Sequence, residues 1–306
     1  MISPRAHVEI VEVSARDGLQ NEKQTVFSTA QKIALIERMV AAGAKRLEVA
    51  SFVRPDAVPQ MADAEAVIAG LSLPEEVITI GLVMNKRGAL RALETKVHEI
   101  GAVCVASDSF AKANQGQTSM ESVGIAADIV TFARQEGRRA QVTIGGAFGC
   151  PFEGEVDSDH VLAMAARIAE AGPVELALAD TIGVAVPKQV FELVSRVRGE
   201  VGALPIRVHL HNTRNTGYAN AVAAIDAGAA TLDASVGGIG GCPFAPNATG
   251  NIATEDLIYL LERSGIATGI DLGATIETAR WLGEEMARDV PGLLSRAGPF
   301  PPSNQA

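Results

Sequence analysis

The stretch IRVHLHN (Ile206 to Asn212) sets His209 and His211 two residues apart in a run of strand-forming residues. Alternate strand residues face one side, so both imidazoles point the same way. Each can give one nitrogen to a metal, and Asp17 could add an oxygen. Such a mixed set suits a divalent ion that keeps positions open for substrate. The same spacing also suits a plain hydrogen-bonded histidine pair. Asp17 follows Arg16 directly, and the two divide labour if they are functional: Asp17 on the metal, Arg16 presenting rigid donors to an enolate or a carboxylate. A solvated turn with an ordinary ion pair is the bland alternative. Glu48 interrupts an apolar strand and needs a partner, Arg16 or a metal-bound water. Asp180 closes VELALAD, where it can act on a substrate proton, orient His209 or cap the following helix. The segment Ser235 to Asn251 holds four glycines (Gly237, Gly238, Gly240, Gly241) before Cys242. Glycines there permit tight backbone beside a ligand or a lid over it, and the thiol could deliver a proton to a carbanion. Cys104 and Cys150 are expected to be structural, and His7, His98 and His160 structural or superficial.

These side chains need a scaffold that brings them together. Eight short β-branched runs begin at His7, Arg46, Val77, Ala102, Ala140, Val174, Ile206 and Thr231, spaced 25 to 39 residues apart. That is the length of a strand–helix unit. Helices are expected over 28–42, 121–135, 159–171, 187–198, 219–227 and 255–264, with one more over 275–289. An Ala-Gly step recurs at Gly43, Gly172 and Gly228, each a glycine cap that turns the chain into the next strand. No GxGxxG follows the first strand, which argues against an open dinucleotide-binding sheet. The pattern predicts an α/β fold, a (β/α)8 TIM barrel over about 7–265 with an additional C-terminal helix, in one domain spanning 1–306. The tail from Pro291 is expected to be a surface arm or partly disordered. In such a barrel, reactive groups belong at the carboxyl ends of the strands. Strands one, two, six, seven and eight all place polar groups there.

Length and composition bound the rest. With 306 residues, 47% of them hydrophobic, the chain can bury roughly 75% of its unfolded surface, so the chain as a whole is neither a disordered tail nor a disulfide-stapled miniprotein. The net charge of −10, from 26 basic and 36 acidic residues, disfavours bulk attraction to nucleic acid or anionic membranes. Three cysteines without CxxC spacing indicate a reduced, cytoplasmic chain. No apolar run is long enough for a signal peptide or a membrane span.

Several words of the sequence carry a resemblance. ARDGLQNE (Ala15 to Glu22), EVASFVRPDAVPQM (Glu48 to Met61), GCPFEG (Gly149 to Gly154), LADTIGV (Leu178 to Val184), HLHNT (His209 to Thr213) and GGCPFAPNATGNIATEDL (Gly240 to Leu257) resemble the hydroxymethylglutaryl-CoA lyase family of divalent-metal barrel lyases. The similarity runs through about Leu272. It implies a cation, Mg²⁺ or Mn²⁺, on Asp17, His209, His211 and Asn251. It also implies catalytic roles for Arg16, Glu48, Asp180, His209 and Cys242, and places Gln20 near the substrate. Lys23 or Arg54 would serve the CoA pyrophosphate. The implied reaction cleaves 3-hydroxy-3-methylglutaryl-CoA to acetyl-CoA and acetoacetate, as in leucine breakdown, in a homodimer or larger homo-oligomer.

The chain departs from the family pattern at Asn212, Arg214 and Asn215 after the histidines, in SARDG at the first strand, and at Gly237 and Asn247. These departures bear on the acyl portion, so a citramalyl-CoA or a branched hydroxyglutaryl-CoA is the alternative substrate. A Claisen-type synthase is a further rival, although synthases generally lack the GGCP loop. A CoA-binding scaffold would have no need of Asp17, His209, His211 and Cys242 together.

Overall fold

The computed structural model describes residues 7–22, 24–241 and 250–301. Eight strands, β1 (Glu9–Glu12), β2 (Arg46–Ser51), β3 (Ile78–Val83), β4 (Glu99–Val105), β5 (Arg139–Gly145), β6 (Leu176–Asp180), β7 (Ile206–Leu210) and β8 (Thr231–Ala234), pair in sequence order. All pairings are parallel, and β8 closes on β1 through Glu9 opposite Thr231, making the expected barrel. Outside run α1 (Thr29–Ala41), α2 (Ala64–Gly70), α3 (Lys86–Leu93), α4 (Asp108–Gln115), α5 (Ser119–Gln135), α6 (Ser158–Glu170), α7 (Pro187–Val201), α8 (Gly217–Asp226) and α9 (Thr254–Arg263), then α10 (Leu272–Glu285) and α11 (Leu294–Ala297).

The local signals explain the boundaries. Ser28 caps α1 in a reciprocal capping box with Gln31, and Thr118 does the same for α5 with Glu121. Gly43, Gly172 and Gly228 have φ of 111°, 71° and 96°, a region closed to most side chains, so the Ala-Gly steps are the expected caps. The strands bury both faces. Their outer faces meet Leu, Ile, Val and Ala of the helices in one large apolar cluster. The short helices α2, α3 and α4 have no counterpart in the expected pattern. Each spans two turns or fewer, too short for a clear apolar period.

The interior of the barrel is polar at its lower end. Arg46 on β2 pairs with the buried Glu99 of β4 and meets Glu175, just ahead of β6, at 2.9 Å. Thr231 of β8 donates to Glu175 at 2.8 Å.

The described part of the C-terminal tail runs over the surface as an arm, with most of residues 291–300 partly or fully exposed. It is tied down: the Asp256 carboxylate accepts the N–H groups of Leu293 and Leu294, both at 2.9 Å. The Gly292 N–H donates to Gly237 O at 2.9 Å. Residues 291–298 thus strap the root of the glycine segment after β8.

Two buried glutamates lock the same corner. Glu12 accepts the N–H groups of Ser14 (2.9 Å) and Val236 (3.0 Å) and the Thr254 hydroxyl (2.6 Å), joining the ends of β1 and β8 to α9. Glu255 accepts the Gly237 N–H at 3.0 Å, and burial pushes its carboxyl up to about 8. In the unfolded chain this carboxyl ionises at an ordinary value near 4.3. Between those values the folded state holds a proton that the unfolded state has lost, so this group makes stability fall as pH rises through that window. E255Q keeps the acceptor and cannot ionise. Its urea midpoint should gain on wild type from pH 5 to pH 8.5; a difference that does not change with pH would contradict this account.

Candidate active site

The turn after β1 is π-helical over Ser14–Gly18, with the N–H groups of Arg16 (3.2 Å), Asp17 (2.8 Å) and Gly18 (3.2 Å) converging on the Val13 carbonyl. Three donors on one acceptor curl the chain tightly and bring Arg16 and Asp17 to the barrel mouth. Gly18 is required there, because a Cβ would lie 2.8 Å from the Ile239 side chain. On β2 the pairing with β3 slips between Glu48 and Ala50, a bulge that aims Glu48 at the same mouth. Asn251 arrives from the far side of the glycine segment and bridges antiparallel to His211.

Arg16 Nη1 lies 2.6 Å from Asp17 Oδ1, and Nη2 donates to Glu48 Oε2 at 2.9 Å. Its Nε is buried with no partner among the described residues. Although burial opposes the charged form, Arg16 and the two imidazoles hold the Asp17 carboxyl well below the usual carboxylate range. Burial also depresses His209, yet the Asp233 hydrogen bond and the Asp17 charge together raise its pKa above the ordinary histidine value.

The two histidine readings meet in one geometry. His211 Nε2 and His209 Nε2 are 3.1 Å apart, and they lie 3.7 and 3.9 Å from Asp17 Oδ2. Three atoms with these separations share an equidistant point about 2.1 Å from each, a bond length suited to a small divalent cation. His209 Nδ1 lies 2.9 Å from Asp233 Oδ2. That carboxylate fixes the Nδ1–H tautomer and leaves the Nε2 lone pair on the shared point. Asn251 Nδ2 donates to Asp17 Oδ2 at 2.8 Å, while its buried Oδ1 has no partner among the described residues. Donor types, spacing and an orphaned oxygen all fit a divalent ion. Asp17, His209 and His211 form the one cluster of this kind among the described residues.

These groups wall a cavity of about 950 Å³ at the carboxyl ends of the strands. Arg16, Asp17, Gln20, Glu48, His209 and His211 line it, with Arg54 at an exposed edge. Asp180 stands apart from the lining: its carboxylate accepts the N–H groups of Val184 (2.9 Å) and Ala185 (3.0 Å) in the loop before α7. Asp233 takes the orienting place considered for Asp180. It went unread in the sequence, although TLDASV puts an acid at a strand end with an inward period. Lys23, Cys242 and Asn247 lie outside the described residues. Gly241, the neighbour of Cys242, does line the cavity, and its carbonyl accepts Asn21 Nδ2 at 2.6 Å.

The three departures after the histidines serve the backbone rather than the cavity. Asn212 accepts the Gly217 N–H, Arg214 donates to the carbonyls of Ile182 and Gly183, and Asn215 takes a φ of 58°. None of the three lines the cavity.

A closed parallel barrel with an Asp/His/His donor set and a guanidinium at its carboxyl-end mouth defines the class of divalent-metal-dependent barrel lyases. The protein belongs to the HMGL-like family, whose profile matches residues 7–282. It is 43% identical over 305 residues to (R)-citramalyl-CoA lyase of Chloroflexus aurantiacus, covering 96% of each chain. It is 36% identical over 284 residues to a hydroxymethylglutaryl-CoA lyase of Bacillus subtilis, covering 93% of this chain and 95% of the relative. Its fold superposes with a TM-score of 0.92 on an HMG-CoA lyase of Acinetobacter baumannii in complex with coenzyme A and 3-methylmalate. That structure is 38% identical, and the match covers 100% of this chain and 99% of that one. Among the described residues no helix is long and apolar enough to cross a membrane.

The metal assignment predicts that H211A, which removes one of three clustered donors, will lose Mn²⁺ during gel filtration. Wild type should retain about one ion per chain by elemental analysis. Equal metal content in the two proteins would remove the ligand set.

Proposed function

We propose that this metal-dependent acyl-CoA carbon–carbon lyase prefers (R)-citramalyl-CoA, cleaved to acetyl-CoA and pyruvate by one lyase domain spanning the whole chain. The lyase reading is carried by the convergence of Asp17, His209, His211 and Arg16 on one cavity. The substrate reading is supported by the 43% identity to the Chloroflexus enzyme, above the 36% to the Bacillus enzyme. The 3-methylmalate in the Acinetobacter structure is a branched hydroxydiacid of the same size as citramalate. 3-Hydroxy-3-methylglutaryl-CoA is the second reading, favoured by the hydroxymethylglutaryl-CoA lyases at 36 to 38% identity. Its acid arm is one methylene longer, and its cleavage gives acetoacetate.

Asp17, His209, His211 and Asn251 Oδ1 would hold Mg²⁺ or Mn²⁺, and a bound cation acidifies a chelated hydroxyl and orients the adjacent carboxylate. Glu48 is the residual carboxylate on the cavity wall once Asp17 faces the imidazoles and Asp233 holds His209. We assign it the hydroxyl proton. The bonding pair between C2 and C3 moves into the thioester, and the hydroxyl carbon becomes the carbonyl of pyruvate. Arg16, whose guanidinium lines the cavity, donates to the enolate oxygen. Cys242 then gives its Sγ proton to C2, completing the methyl group of acetyl-CoA. His209 is a poor base while both of its nitrogens are engaged. Gln20, and Lys23 or Arg54, would contact the CoA portion.

Cleavage of a panel of (R)- and (S)-citramalyl-CoA, hydroxymethylglutaryl-CoA and a longer branched hydroxyglutaryl-CoA, with products identified by mass spectrometry, tests the assignment. One methylene is worth roughly 10- to 200-fold in kcat/KM, so (R)-citramalyl-CoA should lead by at least about tenfold. The reverse order would overturn the substrate and leave the lyase. In the same assay E48Q should lower kcat by about 10² or more with little change in KM, and D180N by less than about tenfold. A greater loss in D180N would move the base to Asp180.

A further inference from the structure

Beneath the metal-binding side chains the barrel interior holds a continuous line of charge. Arg207 sits on β7 two residues before His209 and on the same inward face. It is one of the largest fully buried side chains in the protein. Its Nε lies 3.2 Å from Asp233 Oδ1 and 3.8 Å from Glu175 Oε2. The other Asp233 oxygen, Oδ2, is the one that meets His209 Nδ1 at 2.9 Å. Asp233 therefore stands in an ion pair with the guanidinium at one oxygen and in a hydrogen bond with the imidazole at the other. Glu175 continues the line to Arg46, and Arg46 to Glu99. With Asp17, Glu48 and Arg16 at the top, and Glu9 and Arg139 at the lower rim, six carboxylates and four guanidiniums are linked among the described residues.

We propose that Arg207 is a positioning residue for the metal centre: by fixing the Asp233 carboxylate it fixes the tautomer and tilt of His209, and so sets the affinity for the cation. The proposal rests on the metal-site reading above. A lysine is a poor substitute at this buried position, because its ammonium is more strongly hydrated than a guanidinium and gives up more on burial. The lower arginine provides the contrast. Arg46 belongs to the same buried line and touches Glu175 and Glu99 but has no contact with Asp233.

Mn²⁺ titration followed by electron paramagnetic resonance, on the full chain without substrate, separates these roles. Disturbing an outer partner of a ligating histidine typically weakens metal binding 10- to 100-fold. D233N should fall in that range and R207M should weaken binding about tenfold. The R207M/D233N double variant should bind no more weakly than D233N, because both changes remove one linkage. R46M should lower the thermal midpoint while leaving the Mn²⁺ Kd within about threefold of wild type. If R207M fails to fold, R207K carries the test, with an expected weakening of at least about threefold. Unchanged Mn²⁺ binding in folded R207M would overturn the role of Arg207 alone. Losses that multiply in the double variant, or an equal loss in R46M, would also overturn it. A wild-type protein that binds no Mn²⁺ would overturn the metal-site reading together with this one.

Discussion

The mouth of the barrel is organised around one carboxylate, Asp17. Within 4 Å of its oxygens stand the Arg16 guanidinium, the Asn251 amide and the Nε2 atoms of both histidines. A buried carboxylate is costly unless it is paired and hydrogen-bonded, so the groups around Asp17 are those that offset its desolvation. They come from the end of β1, the end of β7 and the return of the glycine segment. Satisfying one charge therefore draws three distant parts of the chain to a single point, and that point suits a divalent cation.

The backbone carries this demand downward. Val13 O gathers three N–H groups to make the turn that presents Asp17, and Glu12, one residue earlier, clamps the same turn to Val236 and Thr254. Gly18 and Gly240 allow the turn and the glycine segment to approach. A Cβ at Gly240 would stand 2.6 Å from Asn251 Nδ2 and break the amide's contact with Asp17. The C-terminal strap belongs to the same arrangement, since Val290 packs where any side chain on Gly237 would fall.

Much of this was legible in the residues themselves. The eight-fold recurrence of strands, the Ala-Gly caps and the inward pairing of His209 with His211 follow from backbone periods of two and 3.6, which short-range sterics impose. Arg16, Asp17 and Glu48 were readable as polar residues at strand ends. Three features were not. Asp233 and Arg207 look like isolated charges on separate strands, and only the register of β7 against β8 makes them one unit. The tail reads as a Pro- and Gly-rich arm, but its anchor, the side chain of Asp256, is far away in sequence. Asn212, Arg214 and Asn215 stand out beside two catalytic-looking histidines, yet Asn212 and Asn215 shape the turn before α8 and Arg214 ties that turn to the loop after β6.

The division of labour between inside and outside explains how the fold tolerates so much buried charge. Buried ion pairs roughly break even against their desolvation cost, so the column from Glu99 to Asp233 adds little net stability. Stability must come from the interface between the outer strand faces and the helices, where Leu, Ile, Val and Ala fill one continuous cluster. Burying such side chains contributes about 25 cal/mol per Å² of apolar surface, and that interface is indifferent to what the inner faces carry. The inner residues are thereby free to be arginine, glutamate and histidine. The cost falls on mutational freedom: removing one member of the column leaves a buried charge unpaired, which destabilises by about 3–5 kcal/mol.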